Sequence, residues 1–88
     1  MNAKIDQILD DLQQISHDLG DALIKKDIAK ILEEGTKWEN KKNELDLESW
    51  MAVLKSTTGE DDPTHPKNKD IQSVKIGSMT FHKPAILK

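Results

Sequence analysis

The chain has 88 residues, of which 35% are hydrophobic and 33% charged, and its formal net charge is −3. That length holds one domain with a thin core, and so polar a balance suits a protein that completes its burial against a partner or a second copy of itself. Cysteine is absent, which excludes disulfides, thiol nucleophiles and cysteine-based zinc sites.

Charge is unevenly placed. Residues 1–21 carry five Asp and one Lys, and residues 22–45 six Lys against five acids. Residues 46–62 return to net −4, and residues 63–88 reach +4 through five Lys against Asp70. Every basic residue is Lys, so the bidentate guanidinium grip on phosphate or guanine is missing. The opening Met1-Asn2-Ala3-Lys4 lacks the apolar run of a signal peptide. No stretch approaches the roughly 18 apolar residues of a membrane span. A cytoplasmic location and no membrane partner are expected.

The clearest periodicity comes first. Ile5, Ile8, Leu12, Ile15, Leu19 and Ala22 repeat with alternating spacings of three and four, a heptad seam that Leu9 widens. The pattern predicts an amphipathic helix that packs within its own domain or pairs with a second copy. A second stripe follows in Leu23, Ile24, Ile28, Ile31 and Leu32, out of phase with the first. Gly20-Asp21 at the change of phase reads as a helix end followed by a helix cap. A single helix rotated by a stutter is the other reading.

Gly35 is expected to end the second helix, and Thr36 with Glu39 to open a short third one through a capping box. Asp46 is expected to cap a fourth, in which Leu47, Trp50, Met51 and Leu54 form one buried stripe that closes near Thr58-Gly59. Residues 56–70 contain no apolar side chain except Pro63 and Pro66. A polar run of that length suggests a loop or tether.

The period then changes to two. Val74 and Ile76 alternate with Ser73 and Lys75, and Met79 and Phe81 alternate with Thr80 and His82. Gly77-Ser78 places Gly at the first central position of a type II′ turn. Folding there pairs Ile76 with Met79 and Val74 with Phe81, with all four side chains on one face. A lone hairpin is not stable in water, so this one must lie on the helices or join a sheet elsewhere.

Chemistry is sparse. Gly20, Gly35, Gly59 and Gly77 are isolated, so no phosphate cradle exists. His17, His65 and His82 lack metal-ligand spacing. Ser16-His17-Asp18 are consecutive on a helix and cannot bond in series as a catalytic triad. Glu60-Asp61-Asp62 lacks the loop pattern of a calcium site and reads as a solvated acidic turn. No catalytic, metal or cofactor residues are assigned, and an enzyme is not expected. Ile28-Ala29-Lys30-Ile31-Leu32 resembles the first helix of a helix-turn-helix, but Glu39 falls where the next helix needs an apolar anchor. A small DNA-binding regulator is therefore the weaker alternative.

Residues 71–81 resemble the C-terminal strand motif of phage head–tail joining proteins (adaptors and connectors), through Ser73, Gly77, Thr80 and Phe81. The resemblance implies a helical body sitting in a ring and a C-terminal arm that adds β-structure to a neighbour. The expectation is an α+β, mostly helical chain. It has a helical body of three to four helices over 1–57, a polar loop over 58–70 and a β-hairpin arm over 71–88. Its expected role is a non-enzymatic protein–protein interaction or assembly protein, of phage or prophage type, acting on a protein partner or as a homo-oligomer. A small inhibitor of a host protein is the main alternative. The expected contact residues are Ile5, Ile8, Leu12, Ile15, Leu19 and Trp50 on the body, and Val74, Ile76, Met79 and Phe81 on the arm.

Overall fold

A computed structural model describes residues 3–87. The outer ends of the expected body and arm, at Met1-Asn2 and Lys88, lie outside the described residues. The elements are α1 (Ala3–Lys25), α2 (Ile28–Thr58), β1 (Ser73–Ile76), β2 (Met79–His82) and a 3-10 turn, Ala85–Leu87. The chain divides into two compact units, one ending at Leu45 and the other beginning at Asp46. α2 contributes residues to both.

The expected three to four helices are a correction: among the described residues two long helices carry the whole helical part. Gly20 does not end α1, which continues through Leu23 and Ile24 to Lys25. A helix-interior Gly costs about 1 kcal/mol relative to Ala, and the seam on either side of it outweighs that. The chain turns at Lys26 instead, a non-glycine residue with φ of 55°. Asp27 N–H donates to the Ala22 carbonyl and Lys26 N–H to the Leu23 carbonyl, at 3.1 and 3.2 Å. These are the two bonds of a Schellman cap. Asp27 then caps α2, its Oδ1 accepting from Lys30 N–H at 3.2 Å. One residue thus closes the first helix and opens the second.

Gly35, Thr36 and Asp46 likewise fall inside α2 rather than at helix ends. The Thr36 hydroxyl donates to the Leu32 carbonyl at 2.9 Å, the bond of a Thr within a helix rather than of a capping box. Lys37 bridges Glu33 and Glu34 at 3.4 and 3.1 Å, and Lys41 reaches Glu44 at 3.4 Å. Such pairs one turn apart carry the helix through its polar stretch. No turn follows Leu32, so the helix-turn-helix is not formed.

In the first unit, α1 and the first half of α2 form an antiparallel helical hairpin. Lys41 Nζ lies 3.0 Å from Asp11 Oδ2 across it, and Ile8 and Ala22 are buried along the α1 seam. The facing positions of α2 are Ile31, Glu34, Trp38, Lys41 and Leu45, which repeat the same alternating spacing of three and four.

In the second unit, Trp50, Val53 and Leu54 of α2 form a core with Val74 of β1, and Ile71, Phe81 and Leu87 pack around it. The strands pair antiparallel in the expected register, Val74 with Phe81 and Ile76 with Met79. Gly77 takes a φ of 62° and Ser78 does not, as a type II′ turn requires. α2 ends at Thr58, before Gly59 with a φ of 84°.

The polar stretch after Gly59 is tied to the end of α2 by one residue. Asn68 is only 1% exposed. Its Nδ2 donates to the carbonyls of Glu60 and Asp62 at 2.8 and 2.9 Å, and its Oδ1 accepts from the Thr58 hydroxyl at 2.8 Å. The hairpin that follows lies against α2 of its own chain, the first of the two arrangements open to it.

Candidate interaction surface

The ten residues expected to contact a partner divide by burial. Ile8, Trp50 and Val74 are enclosed within their own units. Ile5, Leu12, Ile15, Leu19 and Phe81 are half-buried. Only Ile76 and Met79 stand open, at 45% and 62% exposure. The apolar face of the β-hairpin is therefore half covered: Val74 and Phe81 meet the core at Trp50, and Ile76 and Met79 continue beyond it to the turn.

The larger open apolar surface lies in the first unit. Leu23, Ile24, Ile28 and Leu32 are 55%, 81%, 67% and 67% exposed. With Ile31 they were expected to form the apolar stripe of a second helix. The corner at Lys26–Asp27 assigns two of them to the end of α1 and two to the start of α2. At about 100° per residue, Leu23 and Leu9 lie to one side of the α1 seam, and Ile28 and Leu32 to one side of the α2 seam. Because the helices are antiparallel, those sides coincide. Leu23, Leu9, Ile28 and Leu32 thus share one greasy face at the corner end of the hairpin, whereas Ile24, about 150° or more from the α1 seam, lies towards the outer back of α1. Gly20 and Gly35 lie on the same side, with nothing within 4 Å of a Cβ added at either.

Electrostatics set the frame of this unit. Lys41 donates to Asp11 and holds its carboxyl below the ordinary carboxylate value, helped by Gln7 at 3.0 Å. Asp11 in turn raises the Lys41 ammonium above its ordinary value, with Glu44 assisting. Asp21, 3.0 Å away, does the same for Lys25, and Glu34 and Glu33 for Lys37. Glu34 is only 2% exposed, and both of its cationic partners, Lys30 at 3.3 Å and Lys37 at 3.1 Å, come from α2 itself. A carboxylate at a seam position costs stability unless paired, and commonly fixes which helices pair. In the second unit, Thr64 N–H and hydroxyl lower the Asp62 carboxyl by donating to it at 2.9 and 2.8 Å.

The described residues offer little for reaction chemistry. No group of three His, Cys, Asp or Glu converges as a metal site among them. His17 lies 3.8 Å from Asp18 and is widely exposed, beyond hydrogen-bond reach. A groove of about 320 Å³ in the second unit is lined by Asp46, Ser49, Trp50, Phe81, His82, Lys83 and Pro84. It gathers a few polar groups beside the Trp50 ring. No described helix is long and apolar enough to cross a membrane.

The sequence reading missed Glu34, Lys41, Asn68 and the corner at Lys26. Glu34 and Lys41 hid the α2 seam by placing charges at its apolar positions. Asn68 showed no signal within a uniformly polar run. No family model, curated protein or solved structure matches the chain.

Proposed function

We propose that this chain is a non-enzymatic protein–protein interaction and assembly protein, whose principal contact surface is the corner face of the helical hairpin. The observation that carries the proposal is the clustering of Leu23, Ile28 and Leu32, each more than half exposed, on one side of adjoining turns. Single exposed apolar residues are ordinary, whereas a contiguous patch marks a contact surface. The open tip at Ile76 and Met79 is a second, smaller surface. Ser73, Gly77, Thr80 and Phe81 support a head–tail joining role as the specific form of assembly. Phe81 packs against the core of its own unit, so an arm of this kind would offer Ile76 and Met79 rather than Phe81.

A photo-crosslinking residue tests the surface in cells that make the protein. Leu32 lies on the face and is 67% exposed, so a larger side chain there leaves the hairpin packing intact. With benzoylphenylalanine at position 32, irradiation is expected to attach a protein of defined mass. Absence of any protein adduct would contradict the reading.

A further inference from the structure

We propose that the groove beside Trp50 in the second unit is a binding site for a carboxylate carried on an apolar body. The site is independent of the corner face.

Two elements build the groove. Asp46, Ser49 and Trp50 follow one another at i, i+3 and i+4 on α2, so they share one face of that helix. Opposite them runs the end of β2. Lys83 N–H donates to the Gln72 carbonyl at 2.8 Å, which carries the ladder one step past the pairing of Ser73 with His82. Strand alternation therefore puts Lys83 on the same face as Phe81, towards α2. The space between the two sides is about 320 Å³, the small end of the range for ligand sites.

The donors in this groove lack acceptors. Trp50 is only 3% exposed, and its indole N–H has no hydrogen-bond partner among the described residues. Yet no side-chain nitrogen or oxygen among them is sealed away without one. The N–H therefore lies on the small part of the ring that reaches the groove. The Ser49 hydroxyl and the Lys83 ammonium line the same space and are likewise without a partner among the described residues. Asp46, the one carboxylate at the groove, already has a contact of its own. An indole and an ammonium can only donate, so a ligand has to bring the acceptor, and the ammonium favours a charged one. A single Lys with Asp46 close by suits one negative charge better than the two of a phosphate. Phe81, Pro84 and the Trp50 ring make the remaining wall apolar, which calls for a hydrocarbon or aromatic body behind the carboxylate.

The probe is hydrocinnamate, a phenyl ring on a short carboxylate, titrated into the isotope-labelled full chain. The indole N–H signal of Trp50 is expected to move and saturate, with a Kd on the order of 1 mM or below. The signal of Trp38, in the first unit, is expected to stay in place. Acetate lacks the body and hydrocinnamide lacks the charge, and each is expected to bind at least about tenfold more weakly. Lys83→Gln should weaken hydrocinnamate about tenfold while the amide signals of the β-hairpin keep their positions. A short peptide ending in Phe with a free terminal carboxylate identifies the source. Tighter binding than hydrocinnamate assigns the site to the ends of protein chains, and weaker binding assigns it to a small carboxylic acid. A Trp50 signal that does not saturate by about 10 mM, an amide or acetate that binds as well as hydrocinnamate, or undiminished binding by Lys83→Gln would overturn the proposal.

Discussion

Lys41 Nζ sits 3.0 Å from Asp11 Oδ2, and the two residues stand equally far in sequence from Lys26, where the chain reverses. This pair marks the register of the helical hairpin, which together with the apolar seam sets the side chains left on the corner face. Both partners are about one-third exposed, so the pair acts through orientation more than through strength.

Its pH dependence has a definite sign. The folded-state pKa of Asp11 is lowered by Lys41, so its stabilisation is complete above the unfolded value of about 3.9. It is lost as pH falls through the lower folded value. Thermal unfolding of the wild type and Asp11→Asn should differ by a constant gap above about pH 4, closing in more acidic solution. The gap should also shrink with added salt. A gap that widens on acidification would contradict the assignment.

Lys26 holds a left-handed conformation at the corner, with φ of 55°. That conformation costs a non-glycine residue about 1–2 kcal/mol, partly offset in a Gly variant by the greater freedom of its unfolded chain. Lys26→Gly should therefore raise stability in urea by up to about 1 kcal/mol. A β-branched residue at the same position should lower it.

Asn68 ties the polar stretch to the end of α2. Asn68→Asp keeps the size but loses the donors, leaving the Glu60 and Asp62 carbonyls without their partner. A loss of about 2–3 kcal/mol is expected, together with faster proteolytic cleavage between residues 59 and 72. Cleavage at the wild-type rate would show that the segment is held by something else.

Val74 and Met79 share one face of the β-hairpin but not one environment, at 9% and 62% exposure. Val74→Ala should cost about 1–3 kcal/mol through lost burial. Met79→Ala should stay within about 0.5 kcal/mol. Equal effects would mean that the hairpin is not seated on Trp50 as described.

Local and consistent signals made part of this fold legible. The β-hairpin followed from alternation plus Gly77 at the one turn position that needs it, and its register was correct to the residue. The α1 seam was equally plain. The helix breaks were misplaced because Gly20 and Gly35 were read as ends, although each costs a helix only about 1 kcal/mol. The true corner at Lys26 has no glycine to announce it. The exposure of Leu23, Ile24, Ile28 and Leu32 was hidden for the same reason: with Ile31 they read as one stripe only if they belong to one helix. Split between two, they face outward. No motif could have supplied Asn68, because its importance lies in being enclosed by carbonyls that follow no side-chain pattern.

The central claim is that the corner face exists to be covered. Methyl signals of Leu23, Ile28 and Leu32, recorded with a soluble paramagnetic relaxation agent in a concentrated lysate of cells that make the protein, read that directly. Ile86, half exposed in the second unit, is the internal reference. The account predicts that the three corner residues are shielded relative to Ile86 in the lysate but not in a dilute solution of the purified chain; methyls as accessible as Ile86 in both would contradict it.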